Sequence, residues 1–82
     1  MENARLNVTW AGSNGDLPET VPFDCNDDEA LRWAEEAVQQ GSIPGIPADP
    51  NVSLEDFVVE RFPAVGDLPP RLIVRPKTPF GC

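Results

Sequence analysis

The sequence predicts an α+β domain in which one helix packs across one face of a mixed sheet. Several short segments alternate apolar and polar residues with the period of two of a half-buried strand. One segment alone carries helical periodicity, set between a capping signal and a glycine stop. Proline and glycine punctuate the rest: ten Pro and six Gly in 82 residues imply many turns and short elements within a single domain. A chain of this length buries only about 60 to 65 per cent of its unfolded surface, so its core is modest and a deep substrate cavity is not expected.

In "ARLNVTWAG", Leu6, Val8 and Trp10 fall on one face and Asn7 and Thr9 on the other, which predicts the first strand. "GSNGDLPE" reads as turn chemistry, because Asn14-Gly15 tolerates positive φ. "TVPFDC" predicts a second short strand with Val21 and Phe23 inward. Pro22 between them cannot donate to a ladder, which places this strand at a sheet edge. Asn26 followed by Glu29 forms a capping box, and Asp27 and Asp28 add negative charge at the positive end of the helix dipole. Leu31, Ala34 and Val38 then share one face, Trp33 lies at its margin, and Gly41 ends the helix.

"SIPGIPADPN" is too rich in proline for regular structure and is expected to be a loop tacked to the core by Ile43 and Ile46. "LEDFVVERF" predicts the third strand, with Phe57 and Val59 facing one way and Val58 and Glu60 the other. "AVGDLPP" turns the chain into the last strand, "RLIVR", where Leu72 and Val74 point inward and Ile73 outward.

Composition excludes several functions. With 14 acidic and 6 basic residues and no His, the net charge is −8, against the cationic footprint that nucleic acid or anionic membrane demands. Partners with basic surfaces fit better. No apolar stretch is long enough to span a bilayer, and "MENARLNV" lacks the basic and apolar regions of a signal peptide, so a cytoplasmic protein is expected. A disulfide between Cys25 and Cys82 is not expected, since it would pin a tail that proline spacing holds extended. Without His or Tyr, a Ser-His or Cys-His nucleophile pair cannot be built, and zinc loses its commonest nitrogen ligand. The "NDDE" carboxylates lack the alternating oxygens and central glycine of a calcium loop and read as helix capping. No enzyme, cofactor or metal is therefore expected.

The order strand, turn, strand, helix, "GSIPGIP" loop, strand, strand and "RLIVRPKTPFG" tail resembles ubiquitin and its bacterial ubiquitin-like relatives, the β-grasp modifiers. The spacing of Leu31, Ala34 and Val38, and Ile43-Pro44 after the helix, carry the resemblance from about Leu6 to Gly81. It implies a β-grasp fold with a mixed four- to five-stranded sheet, a domain over residues 1–75 and an extended tail over 76–82. The chain departs from ubiquitin in its single Gly81 preceded by Phe80 and in a short segment after Glu60.

The resemblance further implies that Gly81 is the residue whose carboxylate is conjugated. A processing or deconjugating peptidase removes Cys82, an ATP-dependent activating enzyme adenylates Gly81, and a conjugating enzyme passes it by thioester to an amine of a target protein. A residue without Cβ threads a narrow channel and leaves its carbonyl open to attack. Arg75, Lys77 and Phe80 become the tail-recognition residues; Arg71, Arg75 and Lys77 place half of the six basic residues in the last twelve. Leu17, Val58 and Ile73 match the family's partner patch, and the free protein is expected to be a monomer. A sulfur carrier using the same terminal glycine and a non-covalent β-grasp adaptor are the alternatives. Lys77 is the single lysine, so self-linked chains have almost no acceptor. Mass spectrometry of conjugates is expected to find one copy per acceptor, without Cys82; long chains linked through the protein's own side chains would contradict this.

Overall fold

The computed structural model describes residues 2–77. Its elements are β1 (Asn3–Trp10), β2 (Ser13–Asp16), β3 (Val21–Pro22), α1 (Asp27–Gln40), β4 (Phe57–Phe62) and β5 (Arg71–Pro76). They form a five-stranded mixed sheet ordered β2-β1-β5-β4, with β3 also paired to β1. β1 and β5 run parallel at the centre, Leu6 opposite Leu72 and Val8 opposite Val74. Parallel neighbours cannot be joined by a tight turn, so the intervening chain crosses one face of the sheet, where α1 packs on β1, β4 and β5. No helix among the described residues is long and apolar enough to cross a membrane.

The alternation in the first and last strands is realised. Ala4, Leu6, Val8, Leu72 and Val74 are fully buried, and each large side chain removed from water in this way contributes about 1.5–3 kcal/mol. The capping box is formed: the Asn26 side chain accepts from the Glu29 N–H at 2.8 Å, and the Glu29 carboxylate accepts from the Asn26 N–H. Gly41 closes the helix in the left-handed conformation, φ 71°. The buried stripe differs from the expected one, since Ala30, Ala34, Ala37 and Val38 lie inside while Leu31 is only half-buried. Alanines occupy the line of closest approach because a helix settling onto a sheet leaves no room there for leucine. Trp33 is half-buried against the core, at its edge as expected.

The hairpin turn falls at Ala11-Gly12, both with positive φ (51° and 81°), as the tight two-residue hairpin requires. Asn14-Gly15, expected to be the turn, belongs to β2. The reason is tertiary. A Cβ at Gly15 would stand 2.3 Å from the Pro44 carbonyl oxygen and 2.7 Å from Ile43 Cγ2, so this glycine serves close passage of the loop over the strand. β3 is an edge strand with Pro22 opposite Asn3, as the missing N–H requires. Between Asp16 and Val21 the edge carries two residues more than β1 opposite, a bulge that begins at Leu17, whose N–H still donates to the Leu6 carbonyl.

Ile43, Ile46, Val52 and Leu54 bury the segment 41–56 against the core. Leu54, expected in a strand, lies before it; β4 starts only at Phe57. Trp10 Nε1 donates to Asp49 at 3.0 Å and Glu35 accepts the Leu54 N–H at 3.1 Å, which holds the loop to sheet and helix. β5 runs to Pro76, one residue past the expected boundary at 75, and the Lys77 N–H donates to the Asp56 carbonyl beyond it.

Two substitutions test this account by chemical denaturation. Gly15→Ala is expected to lower stability by about 1–3 kcal/mol through collision with the Ile43–Pro44 segment. Ala11→Asn is expected to raise it by about 0.5–1 kcal/mol, because Asn tolerates the left-handed conformation that strains Ala.

Candidate functional site

Alternation along the strands decides what the sheet shows on the face away from α1. Leu6, Val8, Leu72 and Val74 point to the core, so Arg5, Asn7, Arg71, Ile73 and Arg75 occupy the outer face. Val58, Glu60 and Phe62 join them, because Phe57 and Val59 pack inward. Register then arranges rows: Glu60, Ile73, Asn7 and Asp16 in one, Phe62, Arg71 and Arg5 in another, with Val58 opposite Arg75. Asn7 donates to Asp16 at 2.8 Å and to Asn14 at 3.1 Å, and Asn14 donates to Asn7 and to Thr9. This face is a polar, hydrogen-bonded surface with Val58, Phe62 and Ile73 set into it.

Val58 and Ile73 are therefore diagonal neighbours on the outer face. Leu17 does not join them. The bulge after β2 turns it to the helix side, where it packs against the core cluster. There Leu17, Pro18, Val21, Trp33 and Gln40 help line a groove of about 500 Å³, with the Glu19 and Glu36 carboxylates among its walls.

The expected tail-recognition residues divide as well. The Arg75 guanidinium makes a bidentate pair with Glu60, 2.8 Å from Nε and 3.0 Å from Nη2, so it is held to the sheet. That hydrogen-bonded guanidinium lowers the Glu60 carboxyl below its ordinary value, and Glu60 in turn raises Arg75. Lys77 is exposed at the end of β5. Phe80, Gly81 and Cys82 lie outside the described residues. Cys25 is buried in the core cluster. Among the described residues no three Cys, Asp or Glu side chains come together as metal ligands.

The turn "AVGDLPP" carries more than turn chemistry. Val65 and Leu68 form a tight bridge there with their side chains 66% and 68% exposed. Two large apolar residues inside a proline-flanked turn were the available signal.

The Glu60–Arg75 pair is checked by following the Glu60 carboxyl through an NMR pH titration. Its midpoint is expected below the ordinary glutamate value and is expected to return to it in Arg75→Gln. A carboxylate lowered in the folded state adds stability above its unfolded pKa and loses it as pH falls through the folded one, so this contribution disappears at acid pH.

No protein family's sequence profile matches this chain, and neither a curated protein nor a solved structure matches it.

Proposed function

We propose that the chain is a ubiquitin-like protein modifier of β-grasp architecture, conjugated through Gly81. The observation that carries this reading is the pairing of the first and last strands, parallel and adjacent at the sheet centre beneath a single helix. That arrangement delivers the end of β5 to the sheet margin at Lys77, from which Thr78-Pro79-Phe80-Gly81 continues. Pro79 disfavours helix and sheet, which suits an arm threading into an enzyme channel. The acidic body and the exposed Lys77 at the root of the arm support separate docking of body and arm.

In the mechanism a peptidase cleaves after Gly81. An ATP-dependent activating enzyme forms the acyl adenylate and releases pyrophosphate; a cysteine thiol displaces AMP to give the thioester; and an amine of the target displaces the thiol to give the amide. Activating enzyme, conjugating enzyme, peptidase and target protein are the partners. The body of the modifier supplies recognition and no chemistry.

The test is expression of N-terminally tagged protein in cells of its source, purification under denaturing conditions, and tryptic mass spectrometry. Trypsin cuts after Lys77, so conjugated lysines are expected to carry a Thr-Pro-Phe-Gly remnant, lost in Gly81→Ala. Adducts that persist in Gly81→Ala, or that retain Cys82, contradict the reading. A Gly81 thiocarboxylate without conjugates identifies a sulfur carrier. Unchanged partner binding by a chain truncated after Lys77 identifies an adaptor.

A further inference from the structure

We infer that the β4–β5 connection and the adjoining ends of β1 and β5 form a second docking site, separate from the tail, for a protein segment that inserts an acidic side chain flanked by apolar ones. Among the described residues, the exposed large hydrophobics are Phe62, Val65 and Leu68; Phe62 ends β4, and Val65 and Leu68 lie in the connection that follows it. Contiguous exposed apolar residues rimmed by polar ones mark interaction surfaces.

The basic residues show what the partner must carry. Arg61 is committed to Asp27 at 2.7 Å and to the Phe23 carbonyl at 2.8 Å, and Arg75 is committed to Glu60. Arg71, by contrast, has no carboxylate within ion-pair distance among the described residues, and Arg5 has only Asp16 at 3.6 Å. Arg5 and Arg71 stand directly opposite each other on the parallel central strands. Like charges placed so are destabilising unless an anion is shared between them. The Arg71 guanidinium lies over the Phe62 ring, 5.1 Å from its centre.

Between the two arginines, Leu68 and Pro69 complete the wall of a cleft of about 180 Å³. Two guanidiniums beside two apolar walls match a glutamate or aspartate side chain, with its carboxylate on the forks and its methylenes on Leu68 and Pro69. The tip is pre-organised: Val65 and Leu68 exchange both backbone hydrogen bonds, at 3.1 and 2.9 Å, and Pro63, Pro69 and Pro70 flank them. Little conformational freedom remains to be lost on binding. Screening over about 8 Å at physiological salt lets this local positive charge act despite the acidic body. The site sits at the start of β5, while the tail leaves from its end, so both can be engaged at once.

The experiment is selection of a random dodecapeptide display library on the immobilised full chain. Selected peptides are expected to share an Asp or Glu flanked by apolar residues. In NMR titrations they are expected to shift the amides of 62, 65–68 and 71, and to bind at least tenfold more weakly to Arg71→Ala and to Leu68→Ala. Both positions are exposed, and the amide spectrum of each variant reports that its fold is retained. Arg71→Glu is expected to lose the acidic peptide and to bind its Glu→Lys counterpart. Failure to select peptides, selection without an acidic residue, unchanged affinity in either Ala variant, or shifts confined to the Leu17–Trp33 groove would each overturn the proposal. Displacement of the peptide by inorganic phosphate at equal concentration would do so as well, by assigning the arginines to a phosphate ligand.

Discussion

The parallel pairing of β1 with β5 is the constraint on which the rest of the fold depends. Two parallel strands at a sheet centre must be joined by chain that leaves the sheet and crosses a face, and here everything from Ala11 to Pro70 serves that return. Closing so long a connection costs entropy that grows only slowly with its length, whereas the apolar area buried grows with every element packed beneath it. Leu6, Val8, Leu72 and Val74 make the floor; Ala30, Ala34 and Val38 lie on it, close because two of the three are alanine. The strand order follows, with β4 hairpinned to the outer side of β5 and the β2–β3 edge to the outer side of β1.

A sheet half-covered by one helix leaves part of its face open, and the segment 41–56 closes it. Four buried apolar residues provide the adhesion, while a small set of polar contacts provides the position. The Trp10 indole meets Asp49, Glu35 caps the Leu54 amide, and the Asp49 amide meets the Val38 carbonyl. Trp10 also packs on Phe57 with the rings tilted by 38° and their centres 5.7 Å apart, joining the first hairpin to the start of β4. Among the described residues no buried side-chain nitrogen or oxygen lacks a partner. The loop is thus structural, and its passage over β2 is what reserves Gly15.

Charge is distributed with the same economy. The acidic excess lies on exposed helix and loop positions, where water solvates it. Arg61 reaches from β4 to the helix N-terminus and ties it to the sheet through Asp27 and the Phe23 carbonyl. Arg75 spends its charge within the outer face. Of the other basic residues, Arg5 and Arg71 face each other at one end of the central strand pair, Lys77 is exposed at the other, and Arg32 is exposed on α1. An acidic protein so arranged presents small, separate basic features rather than a basic surface.

Whatever depends on near neighbours along the chain is legible in the residues alone. The helix ends were legible because Asn26, Glu29 and Gly41 satisfy or terminate backbone groups within a few residues, and the strand faces because side chains alternate. Pro22 announced an edge because a missing N–H is a local fact. The other features follow from contacts between distant segments. Asn14-Gly15 has turn chemistry, yet the turn formed at Ala11-Gly12, because a strand was needed under Ile43 and Pro44, and no local signal records that contact. Leu17 left the face shared by Val58 and Ile73 because a bulge shifts the alternation, and Leu31 yielded the closest approach to alanines because the sheet, not the helix, sets that distance. The juxtaposition of Arg5 and Arg71 belongs to the same class: two residues far apart in sequence become neighbours only when the first and last strands pair.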